Sequence, residues 1–202
     1  MWLTSNRLVL NVNKSSFMII NLNHHNIQDI FIEIDGKMLP CVTSAKVLGL
    51  YFDDRMCFDE HIHKTSAKML RRVGVLSRLK GILSKKLMLS VYNSIVIPLF
   101  DYGSVVYGFT YKEHLNCMEI LQKRALRIVF SAGFRDHCQP IFKSLKVMPL
   151  LDRINYNSCL YIFKAMNNLS SKYSNGFFKL ISHSHSTRAF SDKKVYVPNV
   201  RL

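Results

Sequence analysis

The first forty residues carry short apolar runs separated by polar residues, a pattern typical of β-strands. Residues 8–12 and 17–20 are rich in β-branched and aromatic side chains, and a polar stretch separates them. Both runs therefore predict strands. Isoleucine alternates with other residues over residues 30–34, and Asp35-Gly36, a dipeptide typical of tight turns, follows. Residues 30–39 therefore predict a β-hairpin.

The period of the apolar positions changes from that of a strand to that of a helix near residue 58. A fourth strand is predicted over residues 45–52, where Gly49 allows a bulge or the close approach of another backbone. From Asp59 onward, apolar residues recur at three- and four-residue steps. The acidic pair Asp59 and Glu60 suits a helix N-terminus. The residues expected to face the core are Ile62, Met69, Leu70, Val73 and Leu76.

Further helices are predicted for most of the remaining chain. The second is capped by Ser84, covers residues 85–97 and ends at Pro98, and residues 101–103 form a bend. The others cover residues 111–130, 140–145 and 150–169. After residue 170 the composition predicts a loop or a poorly ordered tail, with a short strand at residues 195–197.

Together these elements predict an α+β fold. A small antiparallel β region comes first, and an α-helical bundle follows it. The expected boundaries are residues 1–58 for the β region, 59–170 for the helices and 171–202 for the polar tail.

The charge of the chain indicates a polyanionic partner. The 202 residues are 49% hydrophobic, which suits one well-buried core or two small ones, and the formal net charge is +15. Such an excess of positive charge favours nucleic acid, ahead of an acidic membrane, as the partner. A basic ribosomal or structural protein is the alternative.

The cysteines and the apolar runs predict an intracellular protein, in the nucleus or the cytoplasm. The five cysteines are scattered without a C-x-x-C pair, as is typical of reduced thiols. Polar and turn residues interrupt the most apolar run, residues 87–107, before the roughly 20 residues that a membrane span requires. The N-terminus lacks the pattern of a signal peptide.

Basic residues are concentrated in the helical region. No Asp or Glu occurs between His61 and Phe100, whereas a merely solvated helix face usually mixes both signs. We therefore predict that this region binds the phosphate backbone of a nucleic acid; a basic face that only aids solubility is the alternative. The candidate residues are Lys64, Lys68, Arg71, Arg72, Arg78, Lys80, Lys85, Lys86, Lys123, Arg124 and Arg127.

Several sequence blocks together resemble a known family. The first group is Trp2, Asn6-Arg7-Leu8, Leu10-Asn11 and Lys14-Ser15, followed by V-L-G-L at residues 47–50, Asp53, Phe58 and His61-Ile62. The later blocks are L-S-R-L-K, Y-N-S-I-V-I-P-L-F-D-Y-G-S-V-V-Y-G, L-Q-K-R-A-L-R-I-V, F-R-D-H and H-S-H-S-T-R. In this order they resemble the C-terminal palm, thumb and post-thumb region of LINE-type, non-LTR, jockey-like retrotransposon reverse transcriptases.

The resemblance implies a fragment of an RNA-directed DNA polymerase. Residues 8–20 would match the last palm motif, and the helices after Asp59 would match the thumb. Val47, Leu48, Gly49 and Leu50 would match the primer-grip strand. The fingers, most of the palm and the metal-binding carboxylates would lie upstream. Such a fragment would bind RNA, DNA or their hybrid, contact the missing fingers and palm, and lack polymerase activity alone. A non-enzymatic interaction protein or a relic of a degenerate element is the alternative.

The tetrad Tyr51-Phe52-Asp53-Asp54 has the letters of a polymerase metal-binding box. Two-metal polymerisation needs carboxylates from two palm segments, however, and in the family the box precedes the motif that Lys14 matches. We therefore expect Asp53 and Asp54 to form a turn, with catalysis by them as the alternative. Lys14 matches a lysine proposed to protonate pyrophosphate, but a surface lysine is expected here. Mg²⁺ is implied only for the intact polymerase, and no cofactor is expected for this chain.

The histidines raise the question of a metal site. The pairs are His24-His25, His61 with His63, His137-Cys138 and His183 with His185. None has the spacing of a structural zinc site, so no metal is expected, and His61 is expected to pack or cap at the start of its helix. His183, His185 and Arg188 match a tail block of the family to which we assign no role.

Overall fold

The computed structural model describes residues 5–20, 30–176 and 178, and confirms the predicted α+β fold. Contacts divide the chain into two compact units, residues 1–150 and 151–202. Trp2, His24, His25, the tail block with His183, His185 and Arg188, and the strand predicted at residues 195–197 lie outside the described residues.

The strands predicted over residues 8–12 and 17–20 are wrong. Val12–Lys14 forms a 3-10 helix instead, and Phe17 makes a single isolated bridge with Cys41. A strand is stabilised by its neighbours, and no other described segment pairs along these runs. Val9 is consequently 95% exposed despite its β-branched side chain.

Two β-hairpins form the antiparallel part of the fold. β1 (Glu33–Ile34) pairs with β2 (Lys37–Met38) around Asp35-Gly36, which confirms that predicted hairpin. β3 (Ser44–Val47) pairs with β4 (Leu50–Asp53), so the single strand predicted over residues 45–52 is wrong. The turn falls at Leu48-Gly49, where both φ angles are positive, at 48° and 90°. Val47, Leu48, Gly49 and Leu50, expected to form one primer-grip strand, are therefore the tip of a hairpin.

The tip of the second hairpin is fixed to the bend at residues 101–103. The Tyr102 hydroxyl donates a hydrogen bond to the backbone oxygen of Leu48. A Cβ atom on Gly103, whose φ is +71°, would lie 2.6 Å from the Cδ2 atom of Leu50. Since both its φ and this approach exclude larger residues, Gly103 permits the contact between hairpin and bend.

The first long helix, α1 (Asp59–Leu79), buries the face that its periodicity predicts. Ile62, Met69, Val73 and Leu76 are buried. Leu70, also predicted to face the core, is 49% exposed, because one residue after Met69 the helix has turned by about 100°. A Cβ atom on Gly74 would meet nothing within 4 Å, so this glycine supports no close helix approach.

The apolar run of residues 87–107 forms three helices rather than one helix and a turn. They are α2 (Lys85–Ile95), α3 (Ile97–Asp101) and α4 (Ser104–Tyr107). The predicted cap is confirmed, since the Ser84 side chain accepts a hydrogen bond from the Leu87 N–H at 3.5 Å. Pro98 lies in the first turn of α3 instead of ending α2, because a missing N–H is tolerated there.

The next helices follow the predicted bounds closely. α5 (Lys112–Phe130) packs against α1, α2 and α6 (Cys138–Leu145). α5 ends at Ser131, which takes the left-handed conformation with a φ of 60°. The buried core beneath these helices includes Tyr92, Phe100 and Tyr107.

The second unit contains α8 (Lys172–Asn175) and all of α7 (Leu150–Met166) except its first residue. The loop expected after residue 170 is therefore wrong for residues 172–175. Ser171 caps α8 by accepting a hydrogen bond from the Ser174 N–H at 3.3 Å. The Tyr161 hydroxyl also donates to Ser174 Oγ at 3.1 Å, which ties α8 to α7. No helix among the described residues is long and apolar enough to cross a membrane.

His61 lies in the core at the first turn of α1, where its ring contacts that of Tyr107 at a centroid distance of 4.8 Å. Its Nε2 atom lies 3.5 Å from Thr65 Oγ1, but its Nδ1 atom has no hydrogen-bond partner. Burial, with a smaller effect of the Lys68 charge, lowers the pKa of His61 below its ordinary 6.5.

We expect this histidine to make the protein sensitive to acid. Because the folded-state pKa is lowered, the unfolded chain binds the proton more tightly. The contribution of neutral His61 to the stability is therefore fully present above the pKa of the unfolded state. It is lost as the pH falls from that value towards the pKa of the folded state. Urea unfolding between about pH 8 and pH 5 should show a flatter stability profile for His61→Phe than for the wild type. Parallel profiles would contradict this assignment.

Candidate nucleic-acid interface

Five basic residues form a stripe along and just beyond α1. Lys68, Arg71, Arg72, Arg78 and Lys80 are exposed, and we call them the α1 stripe. None of them forms an ion pair with a described acidic residue. With respect to the described residues, their charges are therefore available to an anionic ligand.

Lys64 lies next to this stripe but is already engaged. Its Nζ atom lies 2.6 Å from Glu60 Oε1 and 3.7 Å from the centre of the Tyr51 ring. The hydrogen bond to Glu60 raises the pKa of Lys64. The side chain therefore ties the start of α1 to β4, and it is less available to a ligand than the stripe.

The two lysines at the start of α2 differ in their surroundings. Lys85 Nζ lies 3.5 Å from the centre of the Phe130 ring, a cation–π contact that joins α2 to the end of α5. Lys86 is exposed and forms no ion pair with a described residue. Lys86 is thus the freer of the two.

Three basic residues of α5 form a separate cluster in the C-terminal half of that helix: Lys123, Arg124 and Arg127. Lys123 Nζ lies 2.6 Å from Glu119 Oε1, and Arg127 Nε donates to the backbone oxygen of Asp136 at 2.9 Å. Arg124 is exposed. The predicted set therefore contains residues that are free and residues that also hold the fold together.

Sequence reasoning missed two basic residues beside this cluster. Arg135 and His137 line the same cleft as Lys123 and Arg127. The signal was present in the F-R-D-H block, which the resemblance singled out without a role. A loop between two helices hid the proximity, since helical periodicity does not extend across it.

Asp53, the first aspartate of the Y-x-D-D tetrad, organises a turn. Its carboxylate accepts hydrogen bonds from the backbone N–H groups of Arg55, Cys57 and Phe58, at 3.1, 2.8 and 2.5 Å. Asp54 contributes a backbone N–H that donates to Thr43 O at 3.0 Å. Both oxygens of Asp53 are thus occupied at the junction of β4 and α1, as expected of a structural residue.

The other candidate residues do not lie in a catalytic or metal-binding arrangement with described side chains. Lys14 is exposed at the end of the 3-10 helix. In the part of the chain that the structure describes, no three His, Cys, Asp or Glu side chains lie close enough to hold a metal ion. Leu48, at the hairpin tip, is 87% exposed, whereas Leu50 is buried.

Comparison with curated proteins finds relatives over most of the chain. The RNA-directed DNA polymerase from mobile element jockey of Drosophila melanogaster is 30% identical over 126 residues, 61% of this chain. The probable RNA-directed DNA polymerase from transposon BS of the same species is 26% identical over 133 residues, or 64%. That from transposon X-element is 24% identical over 165 residues, or 79%. The resemblance to jockey-like reverse transcriptases is confirmed.

The chain corresponds to a small part of these reverse transcriptases. The matches cover 14%, 15% and 18% of the lengths of the jockey, BS and X-element proteins. No family model matches the chain, and no solved structure matches it. The similarity thus relates this chain to non-LTR retrotransposon polymerases, while its own activity is a matter for proposal.

Proposed function

We propose that the chain is part of an RNA-directed DNA polymerase of a jockey-like retrotransposon, and that its helical region binds the nucleic-acid backbone. The observation that carries this proposal is the α1 stripe, whose five exposed basic residues have no acidic partner among the described residues. Similarity to retrotransposon polymerases supplies the class of polyanion: RNA, DNA or their hybrid.

The physical basis is the release of counterions. Each phosphate neutralised by a lysine or arginine frees a condensed cation, so binding does not depend on base sequence and weakens as salt rises. The residues that project from one helix can follow a duplex without reading its bases. In this proposal the helices from Asp59 onward act as a thumb that tracks the primer–template hybrid inside the cell.

The proposal assigns no catalytic role to Lys14, Asp53 or Asp54. Asp53 already accepts three backbone N–H groups, so its oxygens are poor candidates for metal ligands. The catalytic carboxylates and the Mg²⁺ of the complete enzyme are assigned to the part of the polymerase that this chain does not span. Contact with that part is the second partner that we propose.

The test is the affinity of the purified chain for an RNA–DNA hybrid, measured by fluorescence anisotropy at several salt concentrations. We expect log K to fall linearly with log salt. The double variant Arg71→Gln/Arg72→Gln should reduce the slope by about 2 and the affinity roughly tenfold, since two phosphate contacts are lost.

A charge-matched control separates this interface from the net charge of the protein. Lys112→Gln/Lys146→Gln removes two exposed positive charges outside the candidate set. We expect it to retain nearly all of the wild-type affinity and slope. Equal losses in both double variants would contradict binding through the α1 stripe. A flat salt response would contradict backbone binding altogether and favour a relic without this function.

A further inference from the structure

A cleft of about 360 Å³ lies between the C-terminal half of α5 and the start of α6. The residues that matter for its chemistry are Lys123, Arg127, Arg135, Asp136, His137 and Gln139. The loop of residues 131–137, which includes the F-R-D-H block, connects the two helices. All of these residues lie in the first compact unit.

The lining of the cleft is predominantly positive. Three cationic side chains face a single carboxylate, that of Asp136, which accepts a hydrogen bond from the Gly133 N–H at 2.7 Å. Lys123 forms an ion pair with Glu119, but Arg135 is exposed and has no ion pair with a described acid. The guanidinium groups of Arg127 and Arg135 are therefore the main source of positive charge.

Arg127 is held in place by the loop. Its Nε atom donates to the backbone oxygen of Asp136 at 2.9 Å, so the side chain is fixed and its two terminal nitrogens remain as further donors. Asp136 thus acts through its backbone on Arg127 and through its carboxylate on Gly133. Through these two hydrogen bonds, Asp136 of the F-R-D-H block holds both the loop and the Arg127 side chain in place.

The start of α6 adds backbone donors to the same cleft. The N-cap residue His137 makes no side-chain capping bond, and Cys138 and Gln139 in the first turn line the cleft. Unsatisfied N–H groups at a helix N-terminus favour an anion. The first turn of α6 and the arginine side chains thus line one concave surface.

We propose that this cleft binds one phosphate group of a nucleic acid. Planar guanidinium groups match phosphate oxygens in a bidentate manner, and two arginines with a helix N-terminus supply more donors than a single carboxylate can use. The inference rests on the proposed function in one respect, since that function supplies a polynucleotide as the source of the phosphate. It adds a discrete site to the extended α1 stripe.

The test uses the full chain labelled with ¹⁵N and titrated with inorganic phosphate. We expect the amide resonances of Cys138, Gln139 and Ile141 to shift saturably. Arg135→Gln should weaken the apparent affinity at least roughly fivefold, because a charge-assisted donor is removed. Lys112→Gln, at the opposite end of α5, should bind phosphate as the wild type does. Because Arg135 has no described hydrogen bond, its replacement leaves the fold intact.

Two further arms identify the source of the phosphate. Short oligonucleotides with and without a 5′-phosphate are titrated against the same resonances. A stronger shift with the 5′-phosphate assigns the cleft to a terminal group, and equal shifts assign it to backbone phosphates. Both results support the site. The absence of saturable shifts, or equal affinities in Arg135→Gln and the wild type, would overturn it.

The result of the phosphate titration does not depend on the α1 stripe. Arg71→Gln/Arg72→Gln should lose affinity for the hybrid but keep the phosphate-induced shifts at α6. If hybrid binding fails in the wild type while these shifts persist, the proposed function is wrong and the phosphate site remains. If the shifts fail while hybrid binding persists, only the further inference is wrong.

Discussion

Replacing Gln122 with leucine is expected to lower the free energy of unfolding by about 2–4 kcal/mol. The side chain is fully buried in α5, and its Nε2 atom donates to Tyr92 Oη at 3.2 Å and to Met148 O at 3.0 Å. Its Oε1 atom accepts from the Leu150 N–H at 2.9 Å. Leucine has a similar volume but leaves the Met148 and Leu150 backbone groups without these partners.

The measurement is urea unfolding followed by circular dichroism. Gln139→Leu makes the same substitution at an exposed position of α6 and should change the free energy of unfolding by less than about 0.5 kcal/mol. If the two variants are equally stable, the hydrogen bonds of Gln122 contribute nothing beyond packing. A stabilised Gln122→Leu would indicate that the surrounding groups find other partners.

Gln122 also illustrates what the sequence could not predict. Periodicity predicts that five positions face the core side of α5: Leu115, Met118, Leu121, Ala125 and Ile128 or Val129. Leu115, Met118, Ala125 and Val129 are buried, whereas Leu121 is only partly buried. Periodicity gives no reason to put a polar glutamine among them, since the three partners come from residues 26 to 30 positions away. Burial of a polar side chain depends on tertiary contacts that a local pattern does not contain.

Helices were predicted better than strands for a related reason. The hydrogen bonds of a helix are local, so the period of apolar residues locates α1, α5 and α6 from the sequence alone. A strand needs a partner, and residues 8–12 have the composition of a strand without a described neighbour to pair with. The hairpin at Leu48-Gly49 was missed because leucine rarely occupies the left-handed region.

The candidate interface was predicted only in part. An acid-free stretch and helical spacing were sufficient to indicate the α1 stripe, because both are properties of one helix. The engagement of Lys64 by Glu60 and Tyr51 and the contact of Lys85 with Phe130 depend on packing between elements. The same holds for Arg135, which reaches the cleft only through the loop after α5.

The Asp53→Ala substitution is expected to lower the free energy of unfolding by about 2–3 kcal/mol, because three backbone N–H groups lose a charged acceptor. The turn that these bonds stabilise contains Met56 and Phe58, both in the left-handed conformation with φ of 56° and 59°. Phe58 is buried, and its ring lies 5.5 Å from that of Phe52. Loss of the Asp53 carboxylate therefore loosens the junction between β4 and α1.

Asp54→Ala is the matched control, because the bond from its backbone N–H to Thr43 does not need the side chain. We expect this variant to unfold within about 0.5 kcal/mol of the wild type. If Asp53 and Asp54 instead formed a metal-binding pair, both variants would abolish nucleotide incorporation in a primer-extension assay, and neither variant would be strongly destabilised. That outcome would contradict the structural role of Asp53 and restore the Y-x-D-D tetrad as an active site.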